Sequence, residues 1–388
     1  SDIDFGAALA AAGDFMGLGG PVLFVGAPAD DNQRGTVHML ALHPGGTVGM
    51  HVDMMAGGAL YSDQFSRFGS SLAVVPDQTG DGVCDLLVGR PGGQGEMGNV
   101  FLLELSVQGS YPSHFNVHDL GVPLALLRYA FKSNAAGIGS SLLYLGDVDG
   151  DGSGDVLVGA AGVTLQDVPG AVGGGFLLRL GDIALGISPV VFGVLAPGLA
   201  GWNTAPAGGT NLTQSAVLLG PIGTGSSTSL GVLLGAPGLG GGGAGGMWAL
   251  HTSLPALPAA VAPLWTGCRR PVIDSPYVKS SLLVAEGQGG MPGPIAPGAE
   301  LGRATAVLGP LFPGGMPVVA IGEPLGLSSS GHVRLVWMDH RQAATPVQRT
   351  ATLGGGGSFQ ALGRALCVVG DLNLDGTPDL IASGLDEL

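Results

Sequence analysis

Short apolar runs alternate with turns along the whole chain. Each run has roughly four to eight residues of mainly valine, leucine and isoleucine, as in Val22 to Val25 and Val100 to Leu103. Glycine, proline or aspartate bounds each run, which is typical of β-strands, and the intervals are too short for helices of normal length. The pattern therefore predicts an all-β protein.

The runs recur in a fixed order, in units spaced about 60 to 90 residues apart. A unit opens with an apolar residue and glycine, such as Phe68-Gly69, and passes through an apolar run and a turn. A second run then ends in a segment such as Gly235-Ala236-Pro237, and a third begins with glycine, as in Gly331-His332-Val333. Such a period is the signature of radial or solenoid repetition, and four strands per unit would form a propeller blade.

Six units are visible, and they predict a single β-propeller domain of four-stranded blades over residues 1–388. The last unit is incomplete, so six or seven blades are expected once it is completed. The expected blades are 1–66, 67–136, 137–211, 212–299, 300–360 and, in part, 361–388. Fourth strands are expected near Leu124 to Phe131 in the second blade and near Val278 to Val284 in the fourth.

The sixth unit ends before its third and fourth strands. An unfinished blade leaves a long unpaired sheet edge, which natural proteins avoid. We therefore expect a protein partner, a neighbouring subunit or further chain to complete the blade at residues 362–384. A six-bladed ring closed by other residues of the chain is the alternative.

Three of the turns between the first and second runs are rich in aspartate. In the turn from Asp147 to Asp155, carboxylates occupy the first, third, fifth and ninth positions. A loop that brings alternate residues inward points these oxygens at one centre, and calcium takes roughly six to eight oxygen ligands. Glycine follows the third ligand position of each turn, where the backbone must bend sharply.

Recurrence at the same place in three units favours metal binding over the alternative, a turn that binds nothing. Val83, Ser153 and Thr377 are expected to supply backbone carbonyls and the other ligands side-chain oxygens. The full expected sets are Asp77, Thr79, Asp81, Val83 and Asp85; Asp147, Asp149, Asp151, Ser153 and Asp155; and Asp371, Asn373, Asp375, Thr377 and Asp379. The corresponding turns of the other units lack them, so we expect about three structural Ca²⁺ sites. Such sites require an extracellular or secretory calcium level.

Composition narrows the range of functions. The chain has 388 residues with a formal net charge of -15, which argues against a nucleic-acid partner because phosphates require a basic face. Hydrophobic residues make up 45%, enough for a large core. No run reaches the roughly 20 apolar residues of a transmembrane segment. Cys84, Cys268 and Cys367 are too few for a disulfide framework and leave open whether one bridge forms.

The repeated units resemble FG-GAP repeats, as in the propeller of integrin alpha chains. The matching residues are Phe-Gly at 5–6 and 68–69 and Gly-Ala-Pro at 26–28 and 235–237, with the aspartate-rich turns between them. The resemblance implies a propeller, usually seven-bladed, with calcium in loops between the first and second strands of some blades.

The sequence contains no Gly-x-Ser-x-Gly elbow and no His-Glu-x-x-His motif, so we expect no enzymatic activity. The first hypothesis is a secreted or cell-surface scaffold for adhesion or extracellular assembly, with Asn211-Leu212-Thr213 as a glycosylation candidate. One alternative is an accessory domain of a larger secreted hydrolase. Another is a carbohydrate-binding propeller whose sugar-stacking candidates are Trp202, Trp248, Trp265 and Trp337.

Overall fold

The computed structural model describes most of the chain. The described residues are 4–54, 66–92, 97–106, 117–120, 137–148, 152–163, 173–181, 189–196, 211–221, 229–239, 243–253, 278–311, 315–326, 330–339, 341–342, 344–354 and 359–386. Apart from one short helical segment, α1 (Asp30–Gln33), the regular structure of this part consists of strands. It contains no helix long and apolar enough to cross a membrane.

The strands form antiparallel sheets, and in each four-stranded sheet every strand pairs with the next along the chain. The first blade contains β1 (Ala8–Ala12), β2 (Val22–Ala27), β3 (Thr36–Leu42) and β4 (Val48–Met54). The second contains β5 (Ser71–Val75), β6 (Asp85–Arg90), β7 (Asn99–Leu103) and β8 (Val117–Asp119). The third contains β9 (Ile138–Gly146), β10 (Asp155–Ala160), β11 (Gly174–Arg179) and β12 (Val190–Leu195).

The remaining sheets continue the same arrangement. The fourth blade contains β13 (Ala216–Pro221), β14 (Ser229–Gly235), β15 (Met247–Ser253) and β16 (Val278–Val284). The fifth contains β17 (Thr305–Pro310), β18 (Pro317–Glu323), β19 (His332–Met338) and β20 (Val347–Gly354). Two short sheets follow, one pairing β21 (Phe359–Gln360) with β24 (Leu385–Asp386), the other pairing β22 (Leu366–Gly370) with β23 (Asp379–Ala382).

The first strands of successive sheets contact one another around a closed ring, β1 to β5, β9, β13, β17 and β22, and back to β1. The fold is therefore an all-β propeller of four-stranded antiparallel blades. Its described part contains five such blades, which corrects the expectation of six or seven. The reason is that the sixth unit has only two apolar runs, and these form the two-stranded sheet β22–β23 between the fifth and first blades.

The two expected fourth strands differ in outcome. In the fourth blade the strand β16 covers Val278–Val284, as expected. In the second blade the fourth strand is β8 (Val117–Asp119), which precedes the expected position, and residues 124–131 lie outside the described residues. This strand was missed because it has three residues and two of them are polar.

The core lies between neighbouring blades and not within any one sheet. Phe24, Phe68 and Phe101 fill the space between the first and second blades. Similar clusters of mainly aliphatic side chains are buried between the second and third, third and fourth, and fourth and fifth blades. The clusters on either side of the sixth unit are smaller and include Cys367 and Leu366. The second strands β2 and β10 are buried along their whole length because blades cover both of their faces.

A close backbone contact joins each blade to the next near the end of the second strand. A Cβ atom added at Gly322 would lie 1.9 Å from the carbonyl oxygen of Gly363. Equivalent distances at Gly26, Gly89 and Gly235 are 1.9, 2.1 and 2.0 Å. The repeated glycine is therefore a packing requirement, since any side chain would enter the next blade.

Serine hydroxyls add a second link at several of these junctions. Ser71 Oγ donates a hydrogen bond of 2.7 Å to the carbonyl of Gly139 in the next blade. At the closure of the ring, Ser383 Oγ donates a hydrogen bond of 2.7 Å to the carbonyl of Gly6. The ring is thus closed by residues 377 positions apart in the sequence.

Candidate functional site

The acidic loop of the second unit lies between β5 and β6, where the sequence places it. Backbone N–H groups of Gly80 and Gly82 donate to the Asp77 carboxylate at 2.6 and 2.7 Å. Asp81 accepts the N–H of Val83 at 2.8 Å. Although burial opposes ionisation, hydrogen bonds from four loop N–H groups lower the pKa of Asp77.

The last carboxylate of this loop, Asp85, is fully buried and accepts the N–H of Gln78 at 2.7 Å. Burial raises its pKa to about 6, and the nearby Asp77 and Asp81 carboxylates contribute to the increase. Acidic groups are therefore gathered at this turn against their mutual repulsion.

The loop of the sixth unit repeats this hydrogen-bonded frame. Asp371 accepts the N–H of Gly376 at 2.8 Å, and Asp379 accepts the N–H of Leu372 at 2.7 Å. Asn373 donates to Asp375 at 3.0 Å, and Asp375 accepts hydrogen bonds from the N–H and hydroxyl of Thr377. The repeat of this frame in two units shows that the sequence pattern specifies one loop geometry.

The loop of the third unit has the same two frame contacts. Asp147 accepts the N–H of Gly152 at 2.9 Å, and Asp155 accepts the N–H of Val148 at 2.9 Å. Ser153 is half-buried and Asp155 is fully buried. Asp149 and Asp151 lie outside the described residues.

The candidate ligand atoms of these loops fit a hard cation, since they are all oxygen atoms. In the two fully described loops, however, no three carboxylates bring their oxygens within 4.8 Å of one another. The reason is that their oxygens are directed to the N–H groups of the loop. A carboxylate has about four lone-pair positions, so these hydrogen bonds leave capacity for an ion.

A cavity of about 350 Å³ lies at the centre of the ring, where the first strands of the units begin. We call it the axial cavity. Every unit contributes to its lining, which consists of Asp4, Ala7, Pro28, Arg67, Ser70, Pro91, Gly92, Gly137, Ser140, Ala161, Gln214, Arg303 and Arg364. Its volume is in the range of about 300 to 1,000 Å³ that is usual for ligand sites.

The axial cavity is basic, although the whole chain has a net charge of -15. Its lining contains three arginines, Arg67, Arg303 and Arg364, and one acidic residue, Asp4. Arg364 pairs with Asp4 at 2.9 Å. Burial lowers the pKa of Arg303, and the nearby Arg364 and Arg67 lower it further, whereas Glu300 at 3.8 Å and Asp4 oppose the shift.

Sequence reasoning missed this cavity, although its signal is present in the repeats. Arg303 and Arg364 each follow the apolar-glycine pair that opens a unit, and Arg67 directly precedes such a pair. Residues at equivalent places in radial repeats converge on the axis, so the arginines of different units meet there.

Other predicted residues have varied positions. Trp248 is buried in the core, and Trp337 is covered by the guanidinium of Arg349, 4.7 Å from the ring centroid. Trp202 and Trp265 lie outside the described residues. Asn211 of the sequon is exposed.

The two cysteines that the structure describes are both free thiols. Burial, together with Asp85 and Asp81, raises the pKa of Cys84 to about 11. Burial raises the pKa of Cys367 to about 11 as well. Cys268 lies outside the described residues. Neither described thiol is activated for chemistry, because the thiolate is the reactive form.

The chain matches no protein-family model, so the FG-GAP resemblance stays a prediction from sequence. A thermostable family-43 glycoside hydrolase superposes with a TM-score of 0.38 and 10% identity, over 90% of this chain and 88% of that chain. The Dos1 propeller superposes with a TM-score of 0.36 and 10% identity, over 97% of this chain and 66% of that chain. Sqt1 from Chaetomium thermophilum superposes with a TM-score of 0.35 and 14% identity, over 92% of this chain and 73% of that chain. The sheets arranged around a central cavity identify the chain itself as a β-propeller.

Proposed function

We propose that this protein is a non-enzymatic, secreted or cell-surface propeller that acts as a calcium-stiffened scaffold for adhesion or extracellular assembly. The observation that carries the proposal is the frame shared by three acidic loops, with oxygen donors at the same positions of three units. A donor set of this kind selects calcium over softer metals.

In this proposal the ions are structural. Asp77, Asp81 and Asp85 would hold one of them, with Thr79 and the carbonyl of Val83. A bound cation neutralises carboxylates that otherwise repel one another. At a dissociation constant of about 0.1 mM and millimolar calcium, each site would stabilise the fold by about 1.4 kcal/mol. The sites would be filled in extracellular fluid and largely empty in cytosol.

The test compares thermal unfolding in millimolar calcium with unfolding in a chelator. We expect calcium to raise the unfolding midpoint, and Asp81→Asn to remove part of the increase. Asp14→Asn is a matched control, because Asp14 accepts N–H groups of Leu18 and Gly19 in a turn that lacks the other ligands. An equal effect of magnesium, or no effect of calcium, would contradict the proposal.

The axial cavity is the place where we propose that the scaffold binds an acidic group of its partner. Arginine recognises a carboxylate through two parallel hydrogen bonds, and a local basic site on an acidic protein attracts anions. Ser70 and Ser140 line the same cavity, and the Ser70 hydroxyl donates a hydrogen bond of 2.7 Å to the carbonyl of Arg67. We therefore expect a glutamate-rich peptide to bind there, more tightly at low salt.

Calorimetric titration with a polyglutamate peptide tests this part of the proposal. Arg67→Ala and Arg303→Ala should each weaken binding, whereas Arg341→Ala should not, since Arg341 is an exposed residue paired locally with Asp339 at 2.8 Å. Binding that is insensitive to both cavity variants would refute the assignment. Hits on a glycan array without peptide binding would favour the carbohydrate-binding alternative.

Self-assembly is a second candidate, supported by the sixth unit. Within the described residues β23 (Asp379–Ala382) pairs with β22 alone, and an open edge of this kind accepts an added strand. A neighbouring subunit or a partner protein would then complete the blade. Sedimentation of the native protein over a wide concentration range tests assembly; a monomer throughout would exclude self-association and leave a separate partner or further chain.

A further inference from the structure

A compact cluster of metal-ligating side chains lies on the first blade, away from the acidic loops. His38 is on β3, and His51 and Asp53 are on β4. His38 is directly opposite Asp53 in the register, and His51 is opposite Leu40. Because alternate residues of a strand point the same way, the three side chains share one face of the sheet.

Their ligand atoms form a small triangle. His38 Nδ1 lies 2.7 Å from Asp53 Oδ1, His51 Nε2 lies 2.8 Å from the same oxygen, and the two nitrogens are 3.1 Å apart. Across the described residues, this is the only group of three His, Cys, Asp or Glu side chains whose ligand atoms all lie within 4.8 Å of one another.

Every hydrogen-bonding arrangement leaves one side of this triangle unfavourable. Each ring nitrogen carries at most one proton. If both nitrogens donate to Asp53, each has a partner, but the two N–H groups then lie side by side with their nitrogens 3.1 Å apart. If His38 donates to His51 instead, the contact between His51 and Asp53 brings two lone pairs together. A cation at the centre of the three atoms would satisfy all of them at once.

The separations fit a metal ion. If each of the three atoms bonds an ion at about 2.1 Å, the separations give ligand–ion–ligand angles of about 80 to 95°. Angles near 90° are those between three ligands on one face of an octahedron. The His38 side chain is 9% exposed, and its ring packs against Phe5 with centroids 5.1 Å apart. His51 and Asp53 are 50% and 55% exposed, so the outer positions of the ion would face solvent.

We propose that His38, His51 and Asp53 form a binding site for a divalent first-row transition metal. Two imidazoles and one carboxylate suit zinc, iron, cobalt, nickel or copper, whereas the all-oxygen loops suit calcium. The site is independent of the acidic loops and of the axial cavity, because it shares no residue with either. Its open positions are available to water or to a ligand from a partner.

The test titrates the calcium-saturated full chain with Zn²⁺ by calorimetry, and with Co²⁺ by visible absorption. Calcium keeps the acidic loops occupied, so zinc reports the histidine site. We expect one equivalent of Zn²⁺ per chain and a Co²⁺ spectrum that shows nitrogen ligation. His51→Ala and Asp53→Asn should each weaken zinc binding at least about tenfold.

His43→Ala is the matched control, because His43 is an exposed histidine of the same β3–β4 hairpin outside the triangle. Circular dichroism checks that each variant is folded, and the exposed Asp53 gives a variant that leaves the core untouched. No zinc binding in the presence of calcium would overturn the proposal. So would zinc binding that His51→Ala leaves unchanged or that His43→Ala reduces equally.

Discussion

Replacing one junction glycine with alanine tests how the blades are joined. In Gly322→Ala the new Cβ would lie 1.9 Å from the carbonyl oxygen of Gly363, about 1.5 Å inside ordinary van der Waals contact. The obstacle is backbone, so no side chain can move aside. The next unit must shift, and that shift would weaken the hydrogen bond of 3.2 Å from the N–H of Leu362 in that unit to the carbonyl of Ser330 in the fifth blade.

The expected loss combines two effects. Overpacking a filled site costs about 1 to 3 kcal/mol, and a weakened hydrogen bond adds about 0.5 to 1.5 kcal/mol. We therefore expect Gly322→Ala to lower the free energy of unfolding by about 2 to 4 kcal/mol. Chemical denaturation, followed by far-UV circular dichroism, measures the change.

A second glycine of the same blade gives the opposite expectation. No atom lies within 4 Å of a Cβ built at Gly354, the last residue of β20. Gly354→Ala should be neutral or stabilise by up to about 1 kcal/mol, because alanine restricts the unfolded chain. If both variants have the same stability as the native protein, the close blade contact does not exist and the reasoning is refuted.

Two further predictions concern buried ionisable groups. Glu323 accepts hydrogen bonds from His332 and Arg334, both at 2.8 Å. Burial opposes its ionisation, but these bonds hold its pKa below the usual 4.5. Its contribution to stability is therefore complete above pH 4.5 and is lost as the pH falls through the lowered pKa. Glu323→Gln should therefore destabilise by about 3 kcal/mol at neutral pH and flatten the acid limb of a stability–pH curve; an unchanged acid limb would contradict this assignment. Half-buried Cys84 and buried Cys367 have pKa values raised to about 11, so both should react slowly with iodoacetamide at pH 8 until the protein is unfolded. Mass spectrometry measures the labelling, and rapid labelling of the native protein would contradict the raised pKa values.

The repeated strands and turns were predictable because each is specified locally. Val22–Ala27 and Asp155–Ala160 are apolar runs that end at glycine-containing turns, and both are second strands of blades. The strand β8 (Val117–Asp119) was not predictable, because three residues with two polar side chains carry no β signal of their own. It forms because β7 presents a free edge beside it.

The sites show a similar division. The acidic loops follow from spacing within nine residues, so their positions were predictable. The triangle of His38, His51 and Asp53 depends on the register of a hairpin, which sequence spacing alone does not give. The axial cavity depends on residues at the openings of distant units meeting, and Arg67 and Arg364 line it together only when the ring closes.

The two-stranded sixth unit makes the local stability of the ring uneven. Elsewhere in the described part each junction is backed by two four-stranded sheets, but β22–β23 is a single pair, and the clusters of buried side chains on its two sides are small. Regions with few buried contacts open first, so amides of residues 366–382 should exchange with deuterium faster than those of β6 or β10. An opening there would part the Ser383–Gly6 contact and turn the closed ring into an open arc, without unfolding any complete blade.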